Sequence, residues 1–78
     1  MIETMNNKKR KEIAGISKEI SALRDRLDEL CESENESFEN LSEGLQQTEM
    51  GIVMEESMNT LSNAIDSLEE AMNYLGNI

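Results

Sequence analysis

Apolar residues recur every three or four positions along two stretches of this chain, on either side of a polar, glycine-containing interval. The first stretch carries Ile13, Ile16, Ile20, Leu23, Leu27 and Leu30; the second carries Met54, Met58, Leu61, Ile65, Leu68, Met72 and Leu75. Side chains at that spacing fall on one stripe of an α-helix, and the stripe leaves water only when another helix covers it. Proline is absent and strand-forming residues nowhere sustain an alternating pattern, so sheet is not expected. The predicted fold class is all-α: an antiparallel two-helix hairpin of coiled-coil type, dimerising into a four-helix bundle.

The punctuation along the chain sets the boundaries of one domain spanning residues 1–78. Residues 1–7 read as a flexible arm, with Thr4 as a candidate cap. Helix 1 is expected over about 8–40, a turn over 41–47 and helix 2 over 48–75. In helix 1 the heptad pairs Ile13, Ile20 and Leu27 with Ile16, Leu23 and Leu30, and the next core slot is Glu34. Phe38 follows and is expected to plug the turn end. Gly44 reads as the reversal point, since glycine takes positive φ at little cost. Thr48 reads as the N-cap of helix 2, with Glu49 in its first turn, and Gly76-Asn77 as its stop. Folding the seams about Gly44 pairs positions whose numbers add to about 88: Ile20 with Leu68, Leu27 with Leu61, Leu30 with Met58.

Charge sharpens this picture through its distribution. Seven basic residues against 17 acidic ones give a net charge of −10. All seven bases lie in residues 1–26, which hold four acids and so carry +3, while residues 27–78 carry thirteen acids and no base, or −13. In the expected register the basic stretch from Lys18 lies near Asp66, Glu69 and Glu70, and the turn end keeps an unbalanced set of carboxylates. Helix 2 also carries Ser57, Ala64 and Ala71 at seven-residue intervals beside its seam. Small side chains there let a second backbone approach, and this stripe is the predicted dimer face.

The chemistry the chain can support is narrow. It has no His and one Cys, which leaves no disulfide, no zinc set and no nucleophile–base pair. Paired glutamates such as Glu55-Glu56 and Glu69-Glu70 lack the Glu-x-x-His step of di-metal bundles and the Gly-centred spacing of calcium loops. Cys31 reads as a small packing residue, and no cofactor is expected. No apolar run reaches the roughly 18–20 residues that span a bilayer, so the expectation is a cytoplasmic, non-enzymatic protein without membrane contact. A chain of this size seldom draws more than about 3–5 kcal/mol from its own core, which makes a second copy the expected partner. Lys8, Lys9, Arg10 and Lys11 form a short basic block able to contact anions or nucleic acid; the acidity of the rest and the lack of neighbouring aromatics argue against nucleic acid as the main partner.

The segment Phe38-Glu39-Asn40-Leu41-Ser42-Glu43-Gly44-Leu45-Gln46 resembles small uncharacterised acidic proteins encoded by phages and prophages, whose turn reads Phe-Asp-Asn-Leu-Pro-Glu-Gly-Leu-Gln between a Leu/Ile heptad and a second acidic heptad. Ser42 replaces the Pro of that turn and Met50 stands where Arg or Lys is common, which would loosen the turn. The resemblance implies a mobile-element origin, a bacterial host cell and a helical hairpin, and supplies no site residues. The leading functional expectation is binding of a host protein, as an inhibitor of that protein or of a defence system, with rows of carboxylates imitating DNA phosphates. Glu36, Phe38, Glu39 and Glu43 are its candidate contact residues. The alternatives are a scaffold assembling through coiled coils and a nucleic-acid binder acting through Lys8 to Lys11.

Overall fold

The structure, a computed structural model, describes residues 6–78 and contains three helices: α1 (Asn7–Glu39), α2 (Glu43–Gln46) and α3 (Glu49–Gly76). The described residues are all-α, and the two long helices pack together. The beginning of α1 is set by Asn6, whose backbone is extended (φ −86°, ψ 171°) and whose side-chain oxygen accepts from the Lys9 amide at 2.9 Å. That bond satisfies one of the donors a helix start leaves orphaned. Thr4, the cap expected from sequence, lies outside the described residues. At the other end of the chain α3 runs through Gly76 and stops at Asn77.

The reversal between α1 and α3 is built differently from the glycine turn expected at Gly44. No glycine among the described residues has positive φ, and a Cβ on Gly44 would meet nothing within 4 Å. The chain instead turns on three polar devices. Ser42, extended at φ −64° and ψ 157°, accepts from the Leu45 amide at 3.3 Å and so starts the single turn of α2. Gln46 then reaches back with its side-chain amide to donate to the carbonyls of Phe38 and Leu41, each at 3.2 Å. The Phe38 carbonyl also accepts from the Leu41 amide at 3.1 Å, so the Gln46 side chain adds a second donor there and ties the end of α1 to the turn that follows it. Thr48 occupies the start of α3, but its hydroxyl makes no capping bond forward; it donates to the Leu45 carbonyl at 2.5 Å. Ser42 therefore ties the turn that its replacement of proline was expected to loosen.

Gly51 is the glycine that the reversal requires. A Cβ placed there would lie against the Gln46 carbonyl oxygen and only 2.6 Å from the Gln46 carbonyl carbon. The first turn of α3 thus crosses the end of α2 backbone to backbone.

Packing along the long helices differs from the predicted seam in phase. On α3 the expected residues Met54, Met58, Leu61, Ile65, Leu68, Met72 and Leu75 are covered, and Ile65, at 9% exposure, is the one buried large hydrophobic residue among the described residues. On α1 the line facing α3 is Ile13, Ser17, Ile20, Arg24, Leu27, Cys31, Glu34 and Phe38, all partly covered. Ile16, Leu23 and Leu30, assigned to the core from sequence, stay 49, 48 and 58% exposed. The cause is the rigidity of helical phase: one rotation of α1 about its axis applies to every turn, and covering Cys31 and Phe38 near the reversal commits Ser17 and Arg24 to the same side. Cys31 accordingly replaces Leu30 as the neighbour of Met58, its thiol 3.9 Å from the Met58 carbonyl oxygen.

The result is a rod with Cα extents of 65 × 17 × 12 Å. Its smallest dimension is one helix thick, so both broad faces are open. Its radius of gyration, 18.3 Å, exceeds the ~11–12 Å of a compact domain of this length.

Candidate interaction surface

The two broad faces of the rod are chemically unlike, and the grooves between the helices show which residues share each one. Ala14 and Ser17 of α1 line a groove with Leu75 and Gly76 of α3. In heptad steps Ala14 continues through Ser21, Asp28 and Asn35, while Gly76 runs back through Glu69, Ser62 and Glu55. That face is therefore polar and acidic. The opposite face takes the positions on the other side of the contact line, which are Ile16, Leu23 and Leu30 of α1 and Ser57, Ala64 and Ala71 of α3. On it, Leu23, Leu27 and Leu30 border a groove of about 400 Å³ with Leu68, and Val53, Ser57, Thr60 and Leu61 border another of about 440 Å³.

Ser57, Ala64 and Ala71 are half-covered, at the edge of the contact with α1. Viewed alone they are a stripe of small residues; combined with the exposed Ile16–Leu23–Leu30 row they give a mainly apolar face carried by both helices, with Arg26 and Glu56 at its grooves. Sequence reasoning missed the α1 half of this surface because it placed those three residues in the interior. The signal was present in Cys31 and Phe38, which stand at seven-residue steps from Ser17 and Arg24 and offer α1 a second possible phase.

At the reversal end, Glu36, Glu39 and Glu43 are exposed and Phe38 is half-buried between the helices. Glu39 accepts from the Asn35 side-chain amide at 3.2 Å. Leu45, Met50, Ile52 and Val53 are also exposed at this end, so apolar groups stand among the carboxylates. Lys8, Lys9, Arg10 and Lys11 are exposed on the first turns of α1 at the opposite end of the rod. Lys18 makes no ion pair with Asp66, Glu69 or Glu70; the nearest pairing of this kind stays within α1, where Arg24 meets Asp25 at 3.0 Å.

Charge is divided along the rod. Taking residues 7–22 with 65–78 as the terminal half, five bases balance five acids, for zero net charge; residues 23–64, the turn half, hold two bases and eleven acids, for −9. Among the described residues no three His, Cys, Asp or Glu side chains converge as a metal-ion set, and no helix is long and apolar enough to cross a membrane. No family model, curated protein or solved structure matches the chain.

Proposed function

We propose that this protein is a helical hairpin that works by protein–protein binding, self-associating through one broad face and presenting its acidic reversal end to a basic surface on a host protein. The observation that carries the reading is the coincidence, at the reversal end, of exposed Leu45, Met50, Ile52 and Val53 with the half of the rod that carries −9. Carboxylates steer a basic partner and discriminate against acidic ones, while desolvated apolar contacts supply the affinity that charge alone seldom provides. A basic groove evolved for nucleic acid fits that description, and occupying it would inhibit the protein that owns it.

The test has two steps. The tagged full chain is used to capture a partner from the bacterial host, and binding of the purified partner is then titrated against wild type and the Glu36→Gln/Glu39→Gln/Glu43→Gln variant. The expected result is at least a tenfold loss of affinity in the triple variant, with the wild-type association rate falling as salt rises. Equal binding by the two proteins would overturn the reading. The open apolar face also supports a scaffold reading, which light scattering separates: a scaffold gives open-ended assemblies that grow with concentration, and the binder gives one discrete mass.

A further inference from the structure

We infer that a second copy of this chain covers the Ile16–Leu23–Leu30 face, and that it does so upside down, with a two-fold axis through Leu23 perpendicular to the rod. The inference rests on the self-association proposed above and goes beyond it by naming the face, the orientation and the residue pairs.

Area favours a copy as the occupant. The chain exposes 6171 Å², against about 4,800 Å² for a compact monomer of its mass. The excess of roughly 1,400 Å² per chain is enough, counted over two chains, to supply the ~1,200–2,000 Å² that a stable interface hides. The composition of the face suits the same occupant. Three large residues on α1 lie beside three small ones on α3, so stacking two such faces gives layers of two large and two small side chains, the composition of a four-helix core.

Each layer has the same composition whether the copies are parallel, with α1 over α3, or antiparallel, with α1 over α1, so composition does not choose between them. Charge does. In a parallel dimer the two −9 halves lie side by side; in an antiparallel dimer each −9 half lies against a neutral one. Helix α1 adds a second electrostatic reason. It carries Lys8, Lys9 and Arg10 in its first turn and Glu36 and Glu39 at its end, so its charges oppose the helix dipole at both termini. An inverted α1 lying across it supplies the opposite charge at each end.

The geometry is self-complementary to the residue. The midpoint of α1 (Asn7–Glu39) is Leu23, and the heptad row through it is Lys9, Ile16, Leu23, Leu30 and Ser37. Inversion about Leu23 sets Leu23 on itself, Ile16 on the second copy's Leu30 and Lys9 on its Ser37. Arg26, on the flank of the row, comes within one residue step of Glu19 of the second copy on the same side.

The experiment uses the full chain with Cys31→Ser as background. Light scattering is expected to give twice 8.8 kDa; a mass of one chain, or of more than two, overturns self-association as proposed. Orientation is read separately by mixing Lys9→Cys chains with Ser37→Cys chains, both substitutions lying at exposed positions, and oxidising. The antiparallel dimer yields the covalent 9–37 heterodimer in large excess over 9–9 and 37–37 products. A dimeric mass without that excess overturns the inversion while leaving the dimer standing.

Discussion

Among single residues, Gly51 and Gln46 carry the reversal. Gly51 has no room for a Cβ because the Gln46 backbone occupies that space, and backbone cannot rotate away as a side chain can. Gly51→Ala is expected to cost about 1–3 kcal/mol, in the range of overpacked sites, seen as a lower urea midpoint with unchanged slope. Gln46 acts from the other side of the same junction. Its amide donates to the Phe38 and Leu41 carbonyls, the first of which keeps the Leu41 amide as a donor, so Gln46→Ala should cost about 1 kcal/mol and speed hydrogen exchange at the last turn of α1 ahead of the rest. The sequence drew attention to Gly44, whose surroundings are open. Nothing in local composition separates one glycine from the other, because the requirement at Gly51 comes from a backbone that passes close only after the chain has turned.

Among elements, α1 is the one whose local preferences disagree with its role. Gly15 stands in its interior with nothing within 4 Å of a would-be Cβ, so the glycine costs backbone entropy without serving a close contact. Gly15→Ala should raise stability by about 1 kcal/mol, measured by chemical denaturation. That the chain holds two long helices could be read from apolar spacing, which depends on neighbours within one or two turns; the Asn6 cap that starts α1 was not singled out. The rotation of α1 could not be read that way. Two phases were available, one with Ile16, Leu23 and Leu30 inward and the other with Ser17, Arg24, Cys31 and Phe38 inward. Hydropathy favours the first, and the structure takes the second. The choice rests on Phe38 and Cys31 finding cover beside α3 close to the turn, which is a property of the pair and not of either helix.

At the scale of the whole molecule, a rod one helix thick with a single large hydrophobic residue buried among the described residues has little of its own to resist unfolding. If the second copy supplies the missing cover, folding and association are coupled, and the melting temperature should rise by several degrees when protein concentration is raised a hundredfold. Leu23→Glu, at a position already 48% exposed, should abolish that dependence by placing two carboxylates face to face on the axis. Calorimetry at several concentrations reads both outcomes.

The amino-acid sequence by itself determined that the described chain is helical, that it holds two long helices, and that its charge is divided between the two halves of the rod. These follow from side-chain spacing and composition, which act over a few residues or need no geometry at all. Only the tertiary structure decided which face of α1 meets α3, that the reversal is held by Ser42, Gln46 and Gly51, and that Ile16, Leu23 and Leu30 share an open face with Ser57, Ala64 and Ala71. Each of these depends on groups far apart in the chain competing for the same limited contact, a competition that local pattern does not record.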